Sequence, residues 1–172
     1  MEQVLSTNNL VISIDAMGGD NSPRVVIEGL AIAAKKNPDV KFLLFGDEAK
    51  INANLSQYPA LQKVCEVRHA LEVVHNEDKP SQVIRNRNTS MYMAIDAVRK
   101  GEAQAIVSAG NTGALMAISK LVLKTIQKIH RPAIVSIMPH QHGKYVMLDL
   151  GANTECCLLY TSPSPRDAHE SR

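Results

Sequence analysis

Short apolar runs that end in glycine-bearing turns, each followed by a helical pattern, constrain this chain more than any other feature. Val11-Ile12-Ser13-Ile14-Asp15 is brief and β-branched, as a buried strand requires, and runs into Ala16-Met17-Gly18-Gly19-Asp20. Ser22-Pro23 then predicts an N-cap with proline at the first helical position. Val25, Val26, Gly29, Leu30, Ala33 and Ala34 make the expected helix face, and Asn37-Pro38 ends it. Lys41 to Phe45 is a second strand, with Gly46-Asp47 opening a short helix, and Val64 to Arg68 is a third.

Further along, His75 to Asn88 is polar and without a period. Thr89 or Ser90 caps a helix carrying Met91, Ala94, Ile95 and Val98, and Gly101 fits its C′ position. Gln104 to Val107 is a strand, Ser108 to Gly113 a turn, and a helix with Leu115, Met116, Ile118, Leu121 and Val122 follows. Ala133 to Met138 and Tyr145 to Leu148 are two further strands. This alternation predicts an α/β layered fold with a mostly parallel sheet, in which ligands sit outside the carboxyl ends of the strands. The turns that carry chemistry are then Asp15 to Asp20, Ser108 to Gly113 and Asp149 to Asn153.

Length and charge narrow the function classes. A chain of 172 residues, 45% hydrophobic and 21% charged, reads as a soluble globular protein. A net charge of +2, with Lys and Arg spread among Asp and Glu, demotes nucleic acid as a partner. Cys65, Cys156 and Cys157 have no metal-ligand spacing and suit a reducing cytosol. No run reaches transmembrane length, and residues 1–9 lack a signal-peptide core, so the chain is expected to be cytoplasmic, with 1–9 disordered.

Gly110-Asn111-Thr112-Gly113 lies where a helix start would offer backbone N–H groups and a positive dipole end to a phosphate. A tight turn with Asn111 or Thr112 as N-cap is the plainer reading. Neither the Walker A nor the Gly-x-Gly-x-x-Gly pattern is met. Asp15 and Asp20 flank a flexible turn and can orient a catalytic group, or serve only to end a strand and start a helix. No further ligand has diagnostic spacing beside them, so neither a metal nor another cofactor is expected. Asp78-Lys79-Pro80-Ser81, with Arg85 and Arg87 behind, can meet phosphate or an acidic carrier, though a solvated loop explains it as well. His69, His75, His130, His140 and His142 have no partner in sequence, and Ser108 has no Gly-x-Ser-x-Gly context, which disfavours a serine hydrolase.

Five segments occur in order: Ile14 to Asp20, Asp78 to Ser81, Ser108 to Met116, Arg131 to Ile134 and Leu148 to Asn153. Together they closely resemble the acyl-acyl-carrier-protein:phosphate acyltransferases of bacterial phospholipid synthesis, the PlsX family, over residues 10–156. The resemblance implies an incomplete Rossmann-like α/β/α fold, about the first half of a member. It implies acyl transfer from acyl-carrier protein to inorganic phosphate, a homodimer at full length, and peripheral association with the inner face of the membrane. Asp15, Asp20, Lys79 and Asn111 are the catalytic candidates on this reading. Gly18, Gly19, Ser81, Arg85, Ser108, Gly110, Thr112, Gly113, Asp149 and Asn153 are the candidate phosphate or substrate contacts. Gly110→Val is expected both to obstruct the phosphate and to strain the backbone. A nucleotide-binding Rossmann module, recognised by binding of NAD or ATP, and an inactive fragment, recognised by aggregation, are the alternatives. Residues 157–172 resemble a translated transposase adapter of the kind used for sequencing libraries, which implies a disordered, non-native tail; a Ser/Pro-rich linker is the other reading.

Overall fold

Strand β1 (Val11–Asp15) lies inside a parallel sheet, between β2 (Lys41–Gly46) and β4 (Ala105–Val107), with β3 (Cys65–His69) beyond β2. The structure is a computed structural model that describes residues 10–127, 132–141 and 143–148. It has two units, one ending at Leu123 and one beginning at Lys124. In the first, Val11 pairs with Lys41, Asp15 with Phe45, and Ile14 with Val107. The order β3-β2-β1-β4 places successive strands outward on one side of β1 and then returns to its other side, the switch point of a doubly wound sheet.

Parallel neighbours need crossover connections, and helices supply them. Helices α1 (Arg24–Lys36), α2 (Glu48–Leu55) and α3 (Pro59–Gln62) connect the first three strands, and α4 (Pro80–Val83) and α5 (Ser90–Arg99) lead from β3 to β4. Helix α6 (Thr112–Leu123) follows β4. Alternation along β2 explains how both sheet faces are covered: Phe42 and Leu44 share a core with Ile27, Leu30, Ile51 and Leu61, while Leu43 and Phe45 meet Ala94 and Ala97. A third cluster, Met91, Ile95, Ala114, Ile118 and Val122, joins α5 to α6. Each fully buried aliphatic side chain contributes roughly 1.5–3 kcal/mol.

Several local expectations hold in detail. Asp47 caps α2 by accepting the Lys50 N–H at 3.2 Å, and Thr89 caps α5 by accepting that of Tyr92. Gly101 has a φ of 77° directly after the α5 C-cap. The first helix departs from expectation. It begins at Arg24, with Pro23 rather than Ser22 at the cap position, and the Ser22 hydroxyl is turned back on the preceding turn, 2.7 and 2.9 Å from the Met17 and Gly19 carbonyls to which it donates. Its buried residues are Ile27 and Leu30, whereas Val25 is 48% exposed and Gly29 also faces solvent. In the second unit, β5 (Val135–His140) and β6 (Gly143–Leu148) pair antiparallel, the arrangement that so short a connection permits. The expectations for residues 1–9 and 157–172, and for Asp149 and Asn153, lie outside the described residues.

Burial pushes the Cys65 thiol up to about 12, and only the thiolate is nucleophilic. The folded chain should therefore alkylate at Cys65 at least ~10-fold more slowly at pH 8 than the urea-unfolded chain, as read by peptide mass mapping. Equal rates would contradict the packing of β3. Leu44→Ala, at a position with no exposed surface, should lower unfolding free energy by about 2–5 kcal/mol, measured by urea titration. Ile32→Ala, on the exposed side of α1, should change it by less than about 0.5 kcal/mol.

Candidate functional site

Both strands that border the switch point end in loops that touch. Gly18, after β1, and Gly110, after β4, approach so closely that a Cβ on Gly110 would sit 3.2 Å from Gly18 Cα. A Cβ on Gly18 would lie 2.8 Å from the Asp15 carboxylate, the Ser108 hydroxyl and the Gly110 nitrogen at once. Gly110 does not adopt a positive φ, so its requirement is space alone, and the expected backbone strain on substituting it does not arise.

Asp15 organises this junction. It is 2% exposed, and its carboxylate accepts the Ser90 hydroxyl at 2.7 Å and the Ser108 hydroxyl at 2.8 Å. Ser108 Oγ in turn accepts the Gly110 N–H at 3.1 Å. One buried carboxylate thus ties β1, the start of α5 and the turn after β4 together. Ser13 makes a parallel link one turn deeper, its hydroxyl donating to the Ala94 carbonyl at 2.6 Å. Sequence reasoning passes over Ser90 as a site residue, and over Ser13 altogether. The available signal is a hydroxyl inside an apolar run, since a buried hydroxyl needs a partner.

The polar stretch arrives at the same place. Asn111 Nδ2 donates to the carbonyls of His75, Asn76 and Asp78 at 3.1–3.2 Å, while its Oδ1 accepts the Ala114 N–H at 3.0 Å. The Asn111 side chain is therefore the α6 N-cap and the anchor of the 75–78 loop, and its amide is already occupied. Asn76 Nδ2 donates to Asp20 Oδ1 at 3.0 Å, and the Asp78 carboxylate accepts the His75 N–H at 2.8 Å. Pro80 Cγ stands 3.2 Å from where a Gly113 Cβ would be, which holds the start of α4 against the first turn of α6. Lys79, Ser81, Thr112 and Gly113 are exposed around this point.

Beside the junction, a cleft of about 420 Å³ is bordered by Met17, Gly19, Asp20, Lys50, Val73 and His75. Arg85 is exposed just past α4, whereas Arg87 borders a separate cleft with Arg68, Asp96, Arg99 and Glu102. In that second cleft the charges other than Arg87 pair off. Arg68 binds Glu102 and Glu66, which raise its already high pKa, and hydrogen bonds from Arg99 and Lys100 outweigh burial to hold Asp96 below the usual carboxylate range. Elsewhere, His69 Nδ1 accepts the Glu48 N–H at 3.4 Å. Among the described residues no group of three or more His, Cys, Asp or Glu is placed to hold a metal ion, and no helix is long and apolar enough to cross a membrane.

Fold and site together define a class: an open parallel α/β sheet whose switch-point loops meet at a helix N-terminus. The chain belongs to the fatty acid synthesis protein family, whose model matches residues 10–160. It is 52% identical over 151 residues to a phosphate acyltransferase of Rhodospirillum rubrum, covering 87% of this chain and 43% of that protein. It is 53% identical over 146 residues to a phosphate acyltransferase of Rhodospirillum centenum, covering 84% and 41%, and 51% identical over 149 residues to one of Granulibacter bethesdensis, covering 87% and 40%. The chain thus spans about two fifths of the length of the curated relatives it matches.

Gly18→Ala should unseat the junction, because all three of its close neighbours are fixed polar groups. Gly29→Ala, with nothing within 4 Å of its Cβ, should instead stabilise α1 by roughly 0.5–1 kcal/mol. Thermal melting of both variants checks this, and a Gly18→Ala chain as stable as the wild type would refute the close approach.

Proposed function

We propose that this chain carries the phosphate-holding part of an acyltransferase that moves a fatty acyl group from acyl-carrier protein to inorganic phosphate, giving acyl phosphate for phospholipid synthesis. The observation that carries the reading is the first turn of α6, which opens at the switch point beside the 75–81 loop, in a chain about half identical to phosphate acyltransferases. A helix N-terminus directs unpaired N–H groups and a partial positive charge at an anion. Ala114 N–H is satisfied by Asn111 and Leu115 N–H by the Asn111 carbonyl, so within the first turn of α6 the N–H groups of the exposed residues Thr112 and Gly113, with the Thr112 hydroxyl, are the donors left for a ligand.

In this reading phosphate is its own nucleophile. A phosphate oxygen attacks the thioester carbonyl, the C–S bond breaks through a tetrahedral oxyanion, and the carrier leaves as thiolate and takes up a proton. The enzyme needs only to hold the reactants together and stabilise the oxyanion. Lys79 and Arg85 offset phosphate charge, Ser81 donates a hydroxyl to it, Asp20 and Gly19 border the cleft that receives the acyl donor, and Asp149 and Asn153 complete the substrate contacts. The resemblance further supports a homodimer that works in the cytoplasm and associates peripherally with the inner membrane face. No specific observation favours a nucleotide as ligand.

Thr112→Val removes one hydroxyl donor to a charged ligand and should weaken phosphate binding about tenfold, the equivalent of ~1.4 kcal/mol. Gly110→Val should abolish it, because a side chain there collides with Gly18, Met91 and Ser108. Calorimetric titration with inorganic phosphate reads both, with circular dichroism as the folding control. Unchanged affinity in two folded variants would remove this turn from the site.

A further inference from the structure

The direction of each hydrogen bond around Asp15 is fixed by chemistry. A carboxylate only accepts, so the Ser90 and Ser108 hydroxyls must both donate to it. With its proton committed to Asp15, Ser108 Oγ presents lone pairs alone, and the Gly110 N–H fills one of them. Gly110 N–H is therefore turned into the protein, away from any ligand. Beyond Asn111, Thr112 and Gly113 are exposed residues whose amides open α6.

From this chain of contacts we propose that Asp15 is a positioning residue: acting through Ser108, it locks the Gly110 amide inward and so aims the Thr112 and Gly113 N–H groups at the anion. Ser90 holds the other carboxylate oxygen, which also accepts the Met17 N–H at 3.4 Å. The relay removes Asp15, Ser108 and Gly110 from direct contact with phosphate and assigns them the geometry of the turn. A half-satisfied network in a buried place is costly, so the lock is cooperative: loss of one member frees the rest. The inference rests on the phosphate reading of α6 for its purpose, but not for its mechanics.

Asp15→Asn tests it with nearly unchanged shape. The atom at the Oδ1 place must remain an acceptor, because Met17 N–H and the Ser90 hydroxyl both point at it, so the new NH2 group faces Ser108. Ser108 Oγ must then accept from that group, and its own proton is displaced into the two remaining directions, one of which the Gly110 N–H occupies, so the Gly110 bond is weakened. Amide hydrogen exchange on the 172-residue chain, read by NMR, should show Gly110 protected in the wild type and exchanging at least ~10-fold faster in Asp15→Asn and in Ser108→Ala. Inorganic phosphate affinity, read by calorimetry, should fall about tenfold in each, and the double variant should lose no more than the worse single one. Ser108→Thr, which keeps the hydroxyl, should restore both readouts. Additive losses, or Gly110 exchange unchanged in folded variants, would overturn the relay. If Asp15→Asn does not fold, Ser108→Ala against Ser108→Thr decides the same point. A wild-type chain with a protected Gly110 but no phosphate binding would support the relay and refute the phosphate reading.

Discussion

A carboxylate buried to 2% exposure between two strands is the constraint on which the rest of the site depends. Removing such a group from water is expensive unless every oxygen is hydrogen-bonded, and Asp15 meets that demand with two serine hydroxyls and one backbone N–H. The partners come from the turn after β1, from α5 and from the turn after β4. Satisfying one side chain therefore fixes three elements relative to one another. Close glycine contact at Gly18 and Gly110 is the steric counterpart of the same junction.

That junction falls at the switch point because of topology. Strand β1 has β2 on one side and β4 on the other, and all three run parallel, so their carboxyl ends open on one edge of the sheet. The loops after β1 and β4 touch there, at Gly18 and Gly110, before leading to α1 and α6, which pack in different core clusters. Asn111 then extends the site by holding three carbonyls of the 75–78 loop, which brings Lys79 and Ser81 to the mouth of α6. Segments far apart in sequence become one surface through backbone carbonyls rather than through charge pairs.

Much of this is legible in the residues alone. Strand β1, its exit turn, the Asp47 and Thr89 caps and the C′ glycine at Gly101 follow from local rules, because each is decided within a few residues. On α1, Val26, Leu30, Ala33 and Ala34 pack on the core as their spacing implies, whereas Ile27 takes the inward place and Val25 and Gly29 face solvent. Asn111 reads equally well as a catalytic amide or a cap, and only the position of the 75–78 loop decides that its donors are occupied. Ser90 is invisible as a partner of Asp15, since no periodicity or motif connects residues 75 positions apart.

In the proposed site the loops after β1 and β4 and the 75–81 loop converge on one tetrahedral anion at the α6 N-terminus. A crystal structure of the chain soaked with tungstate, a phosphate-shaped oxyanion that is located directly by its anomalous scattering, tests it most directly. The expected result is a single strong peak with oxygens about 3 Å from the Thr112 and Gly113 nitrogens. An anion seated instead in the cleft of Arg68, Arg87 and Arg99, with the α6 N-terminus empty, would contradict it.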